Sequence, residues 1–304
     1  MQGSIQGLPL ERYRKQIDLD ILFDSSYKGI ITEEAYVSSI YVVLSSLLTE
    51  REGEKPPTIP APLAEKRSLI KALLTMRAPR PFASGVQSHL DILLAYDKGK
   101  KGFVASRDLP TVQEQFGTSL FPSQFVMWQG DITMLDADAI VNAANNQMLG
   151  CFQPFHRCID NAIHAAAGPR LREDCEVIMS LQGYLEPTGT AKITRAYHLP
   201  SRYVLHTVGP IIPSGQVVTE EQRKQLASCY SSCLSVAAEV DDIRTIAFCG
   251  ISTGVFGYPK QEAAQVAVEA VTDWLNENPG SFDRIIFNVY GEEDLDAYKR
   301  IFER

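Results

Sequence analysis

From Phe121 onward the chain alternates short apolar runs with longer stretches of helical period, and this limits the fold more than any other feature. The apolar runs read as strands over 124–128, 139–142, 190–196, 203–208, 245–249 and 284–290. Between them, helical patterns cover 159–167, 169–179, 219–240, 259–276 and 292–302. Thr219 followed by Glu220 and Glu221 marks a helix start, and Pro169 and Pro259 suit first-turn positions. Run 139–142, apolar from Ala139 to Val141, reads as a strand buried on both faces, and run 245–249 reads as another buried strand. Strands that alternate with helices predict an α/β fold with a largely parallel or mixed sheet sandwiched by helices.

The preceding part has a different character. Residues 9 to about 100 read as helical. Leu10, Tyr13, Ile17, Ile21 and Leu22 recur at helix spacing. Thr32 caps a helix with Glu33 and Glu34 in its first turn, and an apolar run continues to Leu48. Residues 50–62 are charged and then proline-rich, a loop. An amphipathic helix over 63–76 ends before Pro79 and Pro81. Val86, Leu90, Leu93 and Leu94 predict one more helix, closing near Gly99–Gly102. His89 reads as an ordinary surface or core histidine. No metal-type spacing occurs here, so this part is expected to be a helical extension packed on the α/β part.

A chain of 304 residues suggests about two domains. Its net charge of -8 argues against a broad nucleic-acid face, because backbone binding needs clustered Lys and Arg. A diphosphate ligand stays possible, since N–H groups at a helix start hold phosphate without basic side chains. No basic-then-apolar N-terminal segment is present, so no signal peptide is expected. The apolar-leaning segment 35–48 is broken by serines and too short to span a bilayer. The six cysteines form no small disulfide framework. A cytoplasmic monomer without membrane or nucleic-acid contact is the expectation.

The chemistry concentrates between Ile140 and Gly168. A strand end carries Asn142, Asn145 and Asn146. A polar loop then supplies Cys151, His156 and Cys158, and a helix opens with Asp160 in its first turn. Thiolate and imidazole are preferred zinc donors, and Cys-x4-His-x-Cys offers three ligands with one position open. His164 and Cys175 are the nearest spare donors for a fourth. The spacing itself leaves two readings, a zinc loop or two buried thiols beside an unrelated histidine. A zinc nucleobase deaminase is excluded, because Arg157-Cys158 stands where His-x-Glu is required. Asp131 after Gly130 sits at a strand end, where a turn aspartate is common. The segment Ser252 to Phe256 follows a buried strand, and Gly254 and Gly257 would let the backbone approach an anion. Cys175, Cys229, Cys233 and Cys249 fit small buried positions. His198 and His206 read as structural.

Three separate motifs carry a family resemblance. Gly130-Asp131-Ile132-Thr133 with Asp138-Ala139-Ile140-Val141-Asn142-Ala143-Ala144-Asn145 resembles the opening of a macrodomain, the ADP-ribose-binding α/β module. Cys158-Ile159-Asp160-Asn161-Ala162-Ile163-His164 resembles the helix opening of its hydrolase branch. Gly250 to Pro259 resembles its second phosphate loop. The insertion with Cys151, His156 and Cys158 departs from the common glycine-rich first loop and is similar to that of zinc-containing macrodomains. The resemblance covers about Phe121 to Arg304.

It implies a three-layer α/β/α macrodomain with a mixed sheet over residues 116–304, preceded by a smaller all-helical extension over 1–115. It implies that Asp131 and Ile132 hold adenine. Ser252, Thr253, Gly254, Val255 and Phe256 would hold the diphosphate, with Phe256 over the distal ribose. Cys158, Ile159 and Asp160 would contact the ligand, and Asn145 and Asp160 would act at the distal ribose. One zinc per chain would sit on Cys151, His156 and Cys158. The implied reaction is hydrolysis of mono-ADP-ribose from acidic side chains of target proteins, a lipoyl-carrier protein being one candidate. Two other readings stay open: a non-catalytic ADP-ribose reader with structural zinc, and a hydrolase of small derivatives such as O-acetyl-ADP-ribose.

Overall fold

The computed structural model describes residues 7–24, 30–51 and 57–304. A two-residue parallel ladder joins β1 (Val104–Ala105) to β3 (Leu135–Asp136). The main sheet contains β2 (Phe125–Gln129), β4 (Ala139–Ala143), β5 (Ala191–Arg195), β6 (Tyr203–Thr207), β7 (Thr245–Phe248) and β8 (Arg284–Val289). Their order is β2-β8-β7-β4-β6-β5. All neighbours are parallel except β5, which runs antiparallel to β6 at one edge. Every residue of β6 is buried, and so are the first four of β4. A strand buried at successive residues is covered on both faces, so helices must flank the sheet on each side. These helices are α4 (Val112–Phe116), α5 (Ile159–Ala167), α6 (Pro169–Gln182), α7 (Glu220–Ala238), α8 (Lys260–Glu277) and α9 (Glu292–Phe302), after α1 (Glu33–Thr49), α2 (Leu63–Met76) and α3 (Ser84–Lys101) of the extension. The expected mixed-sheet α/β fold with a helical N-terminal region is the one found.

Local signals set the ends of these elements. Thr32 accepts from the Ala35 amide and caps α1. Thr219 and Gln222 form a reciprocal capping box on α7. Residues α1 to α3 bury a small core of their own, in which Ile40, Val43, Ile70, Leu90 and Leu93 meet.

The helix expected across 9–22 does not form. Only a 3-10 turn, Leu10–Arg12, is present, and Asp18 takes a φ of 50°, which breaks any helical run. The periodic apolar residues serve another purpose. Tyr13 is fully buried, and its hydroxyl accepts from the Ile193 amide at 3.0 Å. Leu10, Ile17 and Leu19 join the core of the large sheet, while Ile21 and Leu22 are exposed. The described residues before 116 therefore divide between two cores. The described segment 7–24, β1 and α4 pack with the sheet, and α1 to α3 stand beside it. None of the described helices is long and apolar enough to cross a membrane.

The topology creates one edge of interest. β2, β8, β7 and β4 are successive parallel strands, so their C-terminal ends line up. From that edge emerge Gly130-Asp131, Tyr290, the 249–259 loop and the 144–158 loop, in that spatial order. Three intervals of about 4.8 Å make a row roughly 14 Å long. Ligands of open α/β sheets bind outside the carboxyl ends of the strands.

Candidate functional site

The loop after β4 brings Cys151, His156 and Cys158 together. Their ligand atoms all lie within 4.8 Å of one another, and Cys151 Sγ is 3.6 Å from His156 Nδ1. A tetrahedral zinc with ordinary bond lengths holds sulfur and nitrogen about 3.5 Å apart, so Cys151 and His156 have the spacing of two ligands of that ion, and Cys158 offers a donor of the same kind beside them. Cys158 is also the N-cap of α5, its sulfur accepting from the Asn161 amide at 3.4 Å. Burial, with Cys151 nearby, pushes the Cys158 thiol pKa upward despite that amide. The Asn161 side chain donates to the carbonyls of His156 and Gln153 and closes the loop onto the helix. Gly150 enters the loop at φ 80°, and a Cβ there would lie 2.9 Å from the His164 ring. Asn145 is engaged at both ends of its amide. Its Oδ1 accepts from the Gln147 amide at 3.0 Å, and its Nδ2 donates to Gly150 O at 3.1 Å. It shapes the loop that carries the trio.

Below this loop lies a buried polar network that the sequence did not disclose. Asn142 does not reach a ligand, for it is fully buried. One Nδ2 hydrogen goes to Asp160 Oδ1 at 2.8 Å and the other faces His206 Nδ1 at 3.2 Å. His206 Nε2 meets Thr194 Oγ1 at 3.0 Å, with Cys175 Sγ 3.9 Å away. The spare donors His164 and Cys175 thus form a second buried cluster with His206 and do not complete the loop trio. Burial drives the His206 pKa down to about 3 and lowers that of His164 far below its ordinary value, so both rings are neutral. Asp160 is only 5% exposed. Burial raises its pKa to about 6, against the pull of the Asn142 hydrogen bond and the Arg172 charge. Its Oδ2 makes no hydrogen bond among the described residues, so one oxygen remains available. The amides of Ile159 and Asp160, at the start of α5, are likewise unpaired there.

The loop after β7 presents a run of free amides. Ser252 takes a φ of 64°, and Tyr258 N closes the turn onto Ser252 O at 2.9 Å. Among the described residues the amides of Thr253, Gly254, Val255 and Phe256 have no acceptor. Successive free N–H groups in such a turn attract anions. Gly209, at the end of β6, sits against this loop: a Cβ there would come within 2.0 Å of Ser252 Oγ. Its part in the site was not visible from spacing.

The corner expected to hold adenine differs in detail from expectation. Asp131 Oδ1 accepts from Thr133 N and Thr133 Oγ1, while Oδ2 pairs with Lys101 Nζ at 2.6 Å. Partial burial pushes the carboxyl up, but Lys101 and Thr133 outweigh it and hold its pKa below the ordinary value. Lys101 belongs to α3, so the helical extension reaches this corner. The Ile132 side chain lies in the core at 1% exposure and cannot face a ligand. Its amide is unpaired among the described residues and is what it offers. Tyr290, at the end of β8 and 80% exposed, stands between this corner and the anion loop.

The Macro domain family profile matches residues 141–267. A protein-ADP-ribose hydrolase from Treponema medium is 44% identical over 259 residues, 85% of this chain and 96% of its own length. One of the same name from Staphylococcus aureus (strain MRSA252) is 39% identical over 262 residues, 86% of this chain and 94% of its own. Among solved structures, the Trypanosoma brucei macrodomain in complex with ADP-ribose superposes with a TM-score of 0.57 at 29% identity, covering 76% of this chain and 94% of that one. With such identity over nearly the whole length of its relatives, the chain belongs to the macrodomain family.

Proposed function

We propose that the protein is a zinc-dependent hydrolase that removes mono-ADP-ribose from acidic side chains of proteins. The observation that carries this reading is one row of groups along a single sheet edge. A carboxylate stands at β2, a run of free amides follows β7, and a thiol–imidazole trio follows β4 beside Asp160. That order matches an ADP-ribose laid across the edge, with adenine at Asp131 and the distal ribose at the trio. The hydrolase names of the Treponema and Staphylococcus relatives support the activity. A lipoyl-carrier protein as the target rests on the family resemblance.

In this arrangement Asp131 and the Ile132 amide hold adenine, and Tyr290 offers its ring for stacking. The amides of Thr253 to Phe256 take the diphosphate, and Phe256 flanks the distal ribose. The Ile159 and Asp160 amides approach the ligand from the helix start. Asp160 Oδ2 accepts from a ribose hydroxyl or a water, while Asn142 fixes Oδ1. Asn145 keeps the loop in place from below. Cys151, His156 and Cys158 would hold the zinc, which supplies Lewis acidity, lowering the pKa of a bound water or polarising an oxygen of the ribose or the ester.

Two measurements test this reading. The purified protein is expected to carry about one zinc per chain and to release ADP-ribose from a carrier protein modified on glutamate or aspartate. His156→Ala and Cys158→Ala should each lose the metal while α1 to α3 stay folded, as read by elemental analysis and circular dichroism. Full zinc occupancy in both variants would remove the ligand assignment.

Asp131→Ala is expected to weaken ADP-ribose binding by more than about 1.4 kcal/mol, roughly tenfold. The variant also frees Lys101, whose charge would then face the ligand. Isothermal calorimetry showing wild-type affinity would reduce Asp131 to the cap of its own turn.

A further inference from the structure

We propose that the helical extension is part of the scaffold of the metal loop, joined to it by Arg172 as a positioning residue. The proposal rests on reading Cys151, His156 and Cys158 as ligands. The last carbonyls of any helix lack intrahelical partners, and α2 has no basic residue in its last turn to satisfy them. Arg172, on α6, fills that role from the other domain. Its Nη1 donates to the carbonyls of Leu74, Thr75 and Arg77 at 3.2, 3.0 and 2.8 Å. Its Nη2 turns the opposite way, toward Cys151 O at 3.4 Å. The guanidinium also lies 4.4 Å from the centre of the Phe152 ring. One planar group thus touches the end of α2 and the first two residues of the loop.

Arg172 is only 6% exposed, and no carboxylate forms an ion pair with it among the described residues. A buried charge out of direct contact with a carboxylate is costly, and here helix-end carbonyl dipoles, an aromatic face and the longer-range attraction of Asp160 provide the compensation. Lysine cannot replace it, because only the guanidinium fork bonds in two directions while stacking on a ring. The loop has few other outward contacts. Asn161 holds its His156 end, and no other side chain reaches the Cys151 carbonyl among the described residues. The extension, by contrast, has independent attachments. Asp91 pairs with Arg170 at 3.1 Å and His198 at 3.0 Å, and Leu94 fills the space over Gly168. Loss of Arg172 should therefore release the loop and leave the two cores docked.

The test uses the full chain with Arg172→Lys, Phe152→Leu and the double variant. Hydrogen exchange over residues 151–158 is followed in metal-free protein, and zinc retention is measured against a competing chelator. Arg172→Lys should speed exchange of this loop and weaken zinc retention by about tenfold or more, the usual effect of removing a group that orients ligands. ADP, which lacks the distal ribose, should bind as tightly as to the wild type. The double variant should retain zinc no worse than Arg172→Lys alone, because both changes remove one contact. Wild-type exchange and wild-type zinc retention in folded Arg172→Lys would overturn the proposal. Should that variant not fold, Phe152→Leu, which keeps the α2 bonds, decides by the same two readouts. If the wild type itself binds no zinc, the metal reading fails, and loop exchange in metal-free protein still decides the tie.

Discussion

Metal-free protein is expected to cleave the ADP-ribosyl linkage at least about a hundredfold more slowly than the zinc-loaded form while keeping much of its ADP-ribose affinity. A Lewis acid at the scissile linkage contributes several kcal/mol, and each ~1.36 kcal/mol is a factor of ten. The contacts expected to hold adenine and diphosphate leave β2 and β7, whereas the trio leaves β4. Binding and chemistry should therefore separate when the metal goes. The complication is that the loop is held at few points, so that metal binding and local folding are coupled. Calorimetry and turnover on one chelated sample resolve this. Retained binding with lost turnover supports a catalytic metal, and loss of both makes its role structural. Unchanged turnover in a sample shown to be zinc-free would sink the mechanism.

Much of this row was legible in the sequence because it depends on chain order. A strand end followed at once by a helix start fixes where Asp160 and the anion loop must lie. The helices Leu63–Met76 and Ile159–Ala167 begin and end where their proline, glycine and polar neighbours place them. What stayed hidden depends on side-chain direction and on partners far along the chain. Asn142 and Asn145 looked alike at the strand end. The pleat sends Asn142 down into the network of Asp160 and His206, and Asn145 lies beyond the strand, where its amide closes a turn. Lys101 and Asp131 are 30 residues apart and meet only because α3 packs beside the sheet. The apolar period over 9–22 was real, yet it recorded attachment to the sheet and not a helix. At Ile132 the sequence did not separate the side chain, which lies in the core, from the backbone amide, which is the group left free. Arg172 carried no local signal, because its partners lie in α2 and in the loop.

Asp160→Asn is expected to cut turnover by about a hundredfold, the loss typical of misplacing a reacting group, because it removes the carboxylate proposed to orient the distal ribose or a water, and at the same time to stabilise the metal-free protein near neutral pH. Burial raises the Asp160 pKa from its ordinary 3.8 to about 6, so the folded state holds the proton more tightly than the unfolded one. The sign follows from linkage. The stability this carboxyl contributes is fully present below its unfolded pKa and is lost as pH rises through the folded value. Complete loss corresponds to about 3 kcal/mol at ~1.36 kcal/mol per pH unit, an upper figure because water entry and relaxation reduce it. Asparagine has no charge to bury, and its Oδ1 still accepts from Asn142. Metal-free Asp160→Asn should therefore unfold later than metal-free wild type at pH 7, by roughly 1–3 kcal/mol, with the gap closing below about pH 4. The comparison must be made without zinc, since a nearby cation favours the carboxylate and reverses the balance. Denaturant titrations of both proteins at pH 4, 5.5 and 7 read this directly. A wild type that is the more stable of the two at pH 7 would mean the buried carboxylate is well compensated by Asn142 and Arg172. Asp160 would then be held for the stability of the fold, and its proposed role at the distal ribose would lose this physical basis.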